Sequence, residues 1–292
     1  MTISVLMITT NKADRIDMTM RALDSVELKS ECEYKEKVLS VDFLSDEPQE
    51  IPEQYKIYER LGWKVVGGPC SGYRGMVYNI ERGLEHITSE LIFHCEDHVE
   101  YYRVPGIDAI QNILCDQIDN VRWINYNTHL IEDNLAEKRP KAMAEEVEVL
   151  ERYIASYINN EKNYKVSGPN CYLLKGKGIA DEYMLNFPAC LTYTKLFKTM
   201  LRYGLTNYEG IGIEIGFSKA WKDLGYQEHY NVAIYLHPEI IDMVISDHIV
   251  TPQDVHDNAQ MRFRNNDTNM FHDSIQQHDN TPGDKKKMNS FF

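Results

Sequence analysis

The chain has 292 residues, enough for one large domain or two small ones. Hydrophobic residues make up 43% and charged residues 26%, the balance of a soluble globular protein. A net charge of −14 counts against affinity built on phosphate backbones or an anionic membrane surface, because both need clustered Lys and Arg. Nucleic acid is not a favoured partner on this ground.

The six cysteines, Cys32, Cys70, Cys95, Cys115, Cys171 and Cys190, form no C-x-x-C pair and no compact framework. They predict reduced thiols in a cytoplasmic compartment. The start, MTISVLMITTNKADR, has no basic region and no small-residue cleavage site, so it reads as a first strand rather than a signal peptide. No apolar run approaches the ~20 residues that span a bilayer, which predicts a chain without a transmembrane segment.

The first third alternates strand and helix signals. SVLMITT (4–10) is a β-rich run that Asn11 ends. ADRIDMTMRALDSVE then sets Ile16, Met20, Leu23 and Val26 at helical spacing. KVLSVDFLSD (37–46) is a second strand ending in acids. PEQYKIYERLG is a second helix stopped by Gly62, and WKVVGG is a third strand. GMVYNIERGLEHI places Met76, Ile80, Leu84 and Ile87 at helical spacing, and ELIFHCED is a fourth strand. This βαβαβαβ order predicts an α/β fold with a mixed, mainly parallel central sheet flanked by helices. Open sheets of that kind bind ligands beyond the carboxyl ends of their strands. Asn11, Asp42, Gly67-Gly68 and Glu96-Asp97-His98 all fall on that edge.

The rest of the chain is more mixed. IDAIQNIL predicts a helix and NVRWINYNT a strand. KAMAEEVEVLERYIASYI predicts a long acidic helix, and VSGPNCYLLKG a strand entered through a turn. CLTYTKLFKTMLRYG predicts an amphipathic helix closed by Gly204, and GIEIGFSKAWKDLGY another closed by Gly225. NVAIYLHP predicts a late strand. From Thr251 the chain is rich in Asn, Asp, Gln and His, the composition of a disordered or partner-dependent tail.

In CEDH, two carboxylates and an imidazole stand at consecutive positions. Side chains alternate along a strand, so only alternate members such as Glu96 and His98 share one space as the strand passes into a loop. Carboxylate oxygens suit Mg²⁺ or Mn²⁺, and an added imidazole favours Mn²⁺ or another transition ion. The plain alternative is a polar strand end capped by solvated charges.

The order of these segments resembles a GT-A-fold glycosyltransferase of the family-2-like group, which uses nucleotide-diphosphate sugars. MITTNK matches the first-strand Thr-x-Asn-Arg/Lys of such enzymes. SVDFLSD matches the second strand, whose terminal acid meets the nucleobase. SGYRGMVYNIERGLEH matches the Gly-rich turn and helix, and IFHCEDHVEYY takes the place of the Asp-x-Asp strand. The match spans residues 3–103, and residues 166–237 more loosely. It departs from the family where Glu96-Asp97-His98 replaces the two acids.

The resemblance implies a nucleotide-sugar-binding half over residues 1–103, an acceptor-binding half over 104–250 and a polar tail over 251–292. It implies donor contacts from Thr9, Asn11, Asp42, Arg74, Glu96 and Asp97, with Lys12 beside them. Asp97, His98 and His237 are the implied ligands of a Mn²⁺ or Mg²⁺ ion bridging the diphosphate. Arg74 reads equally well as a solvated loop residue, and His237 as a strand-end residue beside Pro238. Counting back from Gly225-Tyr226 puts Glu214, ahead of Glu209, at the catalytic base of an inverting transfer. A carboxylate in the first turn of a helix stays ionised and ready to accept a proton.

The implied co-substrates are a nucleotide sugar, UDP being the commonest nucleotide, and a glycan or other hydroxyl acceptor. Two further readings stand beside this one. A sugar nucleotidyltransferase shares the sheet and the acids but carries glycines after its first strand, which TTNKADR lacks. A nucleotide-sugar-binding protein without catalysis accounts for the altered EDH and for Ile213 where an acid often precedes the base.

Overall fold

The first strand, β1 (Ile3–Thr10), has no polar face. Ile3, Val5 and Met7 pack into one hydrophobic cluster and Leu6 and Ile8 into another. A strand covered on both sides reads as a near-continuous apolar run, as ISVLMITT does. The computed structural model describes residues 1–43, 47–69, 74–101, 104, 106–117, 120–126, 171–174, 185, 189–207, 213–235 and 246–248.

Helix α1 (Ala13–Lys29) covers the first of these faces, burying Met18, Ala22, Leu23 and Val26. Strand β2 (Lys37–Asp42) then pairs parallel to β1, with Thr10 opposite Asp42. The predicted second helix is divided into a short α2 (Glu53–Lys56) and a 3₁₀ turn (Ile57–Leu61), closed by Gly62 at φ 86°. Tyr55 and Tyr58 are both buried and three residues apart. A turn of three residues brings both onto one line, which favours the 3₁₀ form here. Strand β3 (Trp63–Gly68) pairs parallel to β2 and sets Gly68 opposite Asp42.

Helix α3 (Arg74–Leu84) covers the opposite face with Ile80 and Leu84. Met76, expected on its buried stripe, is 37% exposed. Asn79, three residues on, already reaches the carbonyls of Thr9 and Ser40 near the strand ends. The turn before it therefore projects beyond the sheet, and the buried stripe begins one turn later. Gly83 permits the close approach of α3 to β1, because a Cβ there would stand 2.3 Å from Leu6 Cδ1.

Strand β4 (Leu91–Glu96) returns parallel to β1 on the side away from β2, with Glu96 opposite Ile8. After β4 come the short strand β5 (Val99–Tyr101), helix α4 (Ile107–Leu114), β6 (Val121–Asn125) and β7 (Cys171–Leu174). The sequence pattern predicts one helix from Cys190 to Gly204. The structure instead forms strand β8 (Ala189–Tyr193) and then helix α5 (Thr194–Asn207), which runs through Gly204. Strand β8 fills the slot between β4 and β6, antiparallel to both, and tertiary pairing there overrides the helical pattern.

Helix α6 (Ile213–Asp223) and the short α7 (Tyr226–His229) lead into β9 (Asn231–Tyr235), parallel to β6 and antiparallel to β7. Gly225 turns the chain between α6 and α7 at φ 70°. Among the described residues, eight strands make one mixed, mainly parallel sheet in the order β3-β2-β1-β4-β8-β6-β9-β7. The sheet runs through both halves of the residue 1–249 unit. β10 (Ser246–His248) pairs with β5 in a separate ribbon. The predicted acidic helix at 141–158 and the tail from Thr251 lie outside the described residues. No helix of the described residues is long and apolar enough to cross a membrane.

Candidate functional site

The run β3-β2-β1-β4 is the 3-2-1-4 order of a doubly wound, Rossmann-like sheet. The chain winds outwards from β1 by way of α1 to β2 and on to β3, then crosses back by way of α3 to β4 on the other side of β1. A crevice opens at such a switch point, outside the carboxyl ends of the central strands. The ends of β1 and β4 flank that position and make it the candidate site.

Asp97 lies one residue past β4 and is 5% exposed. Its Oδ2 accepts the Thr9 hydroxyl at 2.8 Å, and its Oδ1 meets Arg15 Nη1 at 3.2 Å. Thr9 Oγ1 also lies 2.7 Å from Thr19 Oγ1, and the Thr19 hydroxyl donates to the Arg15 carbonyl at 2.8 Å. The Tyr55 phenol closes the arrangement, donating to the Thr10 carbonyl at 3.2 Å. Burial pushes its pKa up, so it stays a neutral donor. Residues from β1, α1, α2 and the end of β4 thus lock one carboxylate in place.

Glu96 and Asp42 are the other buried acids of this edge, at 7% and 4% exposed. The Asp42 carbonyl accepts the Asn11 amide N–H at 2.9 Å, joining the ends of β2 and β1. The Asn11 side chain donates to Gln49. His98 Nδ1 stands 3.4 Å from Glu96 Oε2 and 3.5 Å from Asp97 Oδ1. Burial disfavours its imidazolium, but the bond to Asp97 and the charges of Glu96 and Asp97 outweigh this and raise its pKa.

No protein-family model matches the chain, and no curated protein matches it significantly. Among solved structures it is similar to the 4-diphosphocytidyl-2C-methyl-D-erythritol synthase from Anaerococcus prevotii DSM 20548. The identity is 12% and the TM-score 0.38, over 89% of this chain and 98% of that one. A likeness that distant says nothing of what this chain binds.

Asn79, buried in α3, secures the same edge from the opposite face. Its Nδ2 donates to the Thr9 and Ser40 carbonyls, both at 3.0 Å, and its Oδ1 accepts the Ser40 hydroxyl at 2.6 Å. Arg82 lies beside it, donating to the Val41 carbonyl at 3.4 Å. A Cβ on Gly68 would stand 2.5 Å from Arg82 Nη2, so glycine there keeps room for the guanidinium. Asn79→Ala is expected to destabilise the fold by about 1–3 kcal/mol, the cost of leaving buried polar groups without partners. Urea unfolding at neutral pH measures it.

The remaining predicted residues are placed less fully. Arg74 opens α3 and Glu214 is the second residue of α6; their side chains, like the whole of His237, lie outside the described residues. The position of α6 nevertheless follows from its neighbours. Helix α5 starts at the amino edge, where Thr194 N donates to the Glu90 carbonyl at 2.8 Å. Helix α6 returns the chain to that edge at Asn231, whose N–H donates to the Asn120 carbonyl at 3.1 Å. The two helices pack together, with a Cβ position on Gly204 3.8 Å from the Gly216 carbonyl oxygen. A 14-residue helix rises about 21 Å, so the C-terminal end of α5 lies towards the carboxyl edge.

The metal implied by the resemblance can be tested against these donors. Both oxygens of Asp97 are engaged by Arg15 and Thr9, and His98 turns Nδ1 towards the two acids. Among the described residues no group of three or more His, Cys, Asp and Glu is arranged to hold a metal ion. As arranged, the described side chains do not by themselves fit a resident divalent ion.

Arg15 is the residue that motif matching passes over. The signal was present: Arg15 stands in the first turn of α1, where the helix dipole disfavours a cation. Lys12 stands at the N-cap without a side-chain cap bond. A cation in that position calls for an anionic partner, and Asp97 is one.

Proposed function

We propose that the protein transfers a sugar from a nucleotide-diphosphate donor, with a UDP-sugar favoured, to an acceptor hydroxyl with inversion at the anomeric carbon. One observation carries this reading. Buried Asp42, Glu96 and Asp97 gather with Arg15 at the switch point of a doubly wound sheet, where such sheets receive nucleotides. Buried carboxylates with an ion pair at the carboxyl edge of such a sheet make a candidate functional site.

In this reading Asp42 and Asn11 receive the nucleoside, Glu96 faces the ribose, and Asp97, paired with Arg15, lies beneath the diphosphate. The acceptor oxygen attacks the anomeric carbon on the face away from the diphosphate. The bond from that carbon to the phosphate oxygen breaks, its electron pair leaving on the nucleotide diphosphate. The acceptor proton passes to the Glu214 carboxylate.

The test is product identity. The full chain is incubated with UDP- and GDP-sugars and a panel of hydroxyl acceptors, and in parallel with UTP and sugar 1-phosphates. Acceptor-dependent release of nucleotide diphosphate is the expected result. Pyrophosphate from the second mixture would replace the reading with nucleotidyl transfer. Tight donor binding without turnover would leave a binding protein, and no binding of any nucleotide would end the proposal.

A further inference from the structure

We infer that Arg15, held by Asp97, supplies the positive charge that receives the donor diphosphate, so that nucleotide binding needs no divalent ion. The inference rests on the proposed use of a nucleotide-diphosphate donor. Its own support is the closed set of contacts at the junction of β1, α1 and β4. Asp97 spends one oxygen on Arg15 at 3.2 Å and the other on Thr9 at 2.8 Å. Thr9 and Thr19 are both buried, and the Thr19 hydroxyl returns to the Arg15 backbone. The carboxylate is thus oriented from two sides as a holder of a guanidinium, not presented as an open ligand.

The Arg15 side chain is 28% exposed, so it reaches the crevice surface while its partner stays beneath. A guanidinium is planar, always charged and carries five N–H donors, a fork that suits phosphate as well as carboxylate. Charge bookkeeping calls for cations at this edge. Three buried carboxylates and an incoming diphosphate require compensating cations within a few ångströms. Arg15 on the first turn of α1 supplies one, and Lys12 stands just ahead of that turn. Arg15 is then a phosphate-binding residue, while Asp97, Thr9 and Thr19 are positioning residues that fix its fork.

The experiment titrates the full chain with UDP by calorimetry, in EDTA and in excess Mn²⁺, and with uridine by ligand-observed NMR. Wild-type protein is expected to bind UDP in EDTA with a dissociation constant close to that in Mn²⁺. Arg15→Gln is expected to weaken UDP by about tenfold, 1.4 kcal/mol, and to leave uridine unchanged. Arg15→Lys is expected to recover part of the loss, since it keeps the charge without the fork. Thermal melts confirm that both variants are folded, and the EDTA comparison needs no variant at all. Binding of UDP that EDTA abolishes and Mn²⁺ restores overturns the inference while leaving the donor reading intact. Equal weakening of UDP and uridine in Arg15→Gln also overturns it, by showing a structural role. Failure of the wild type to bind either compound with or without Mn²⁺ overturns the donor reading, and this inference with it.

Discussion

Under the proposed function, Glu214→Gln is expected to lower the rate of sugar transfer by about 10²–10⁴-fold, the range that a positioned general base contributes. The amide has nearly the shape of the carboxylate but cannot take the acceptor proton. Donor affinity should therefore remain at the wild-type value, because the diphosphate contacts lie on β1, α1 and β4 rather than on α6. Single-turnover release of nucleotide diphosphate and a separate titration with UDP measure the two quantities independently. Glu209→Gln is the control, with a rate near that of the wild type. Undiminished transfer by Glu214→Gln would remove it from the mechanism.

The two variants discussed so far act on different steps. Arg15→Gln shifts binding of the diphosphate, and Glu214→Gln shifts the chemical step after binding. If one residue moved both quantities together, the division of the site between the switch-point crevice and the α5–α6 hairpin would be wrong. The double variant adds a further check. Independent roles predict that the free-energy effects of the two substitutions add, since groups without shared partners seldom couple.

The first four strands were legible because each is a short apolar run, the first ended by Asn11 and the third bounded by Gly62 and the Gly67-Gly68 pair. Their order alone put Asp42 and Glu96-Asp97-His98 on one edge, and the register sets Thr10 beside Asp42 and Ile8 beside Glu96. Strand β8 was not legible. Its residues run directly into a helix without a breaker, and only the gap between β4 and β6 makes them extended. The partner of Arg15 was hidden for a related reason. Asp97 lies 82 positions away, and nothing local specifies which of the chain's acids the fold will bring to α1. The helix dipole does indicate that some anion is needed there, which is as far as local sequence reaches. The proposed base position rests on its spacing from Gly225, a glycine whose left-handed conformation the structure shows.

Trp123→Ala is expected to destabilise the protein by about 3–5 kcal/mol, the usual cost of removing a large aromatic from a packed core. Trp123 is fully buried in β6. It stacks on Phe197 of α5 with centroids 6.0 Å apart and meets Phe217 of α6 edge-on at the same distance. Phe197 and Phe217 are themselves 5.2 Å apart, so one indole seats both helices of the hairpin on the sheet. Its Nε1–H donates to Asn125 Oδ1 at 2.8 Å, and truncation also leaves that oxygen without this donor. Trp123→Phe keeps a stacked ring and should cost less than the alanine change, by filling most of the cavity. Under the proposed function a functional consequence follows as well. The hairpin carries Glu214, so a loosened seat misplaces the base, while the proposed diphosphate contacts stand on β1, α1 and the end of β4, on other elements than β6. Trp123→Phe should then lower the transfer rate more than it weakens UDP. Chemical denaturation gives the stability loss, and the ratio of the two kinetic effects shows whether the hairpin positions the base. An equal loss of binding and turnover would show instead that the whole sheet had shifted.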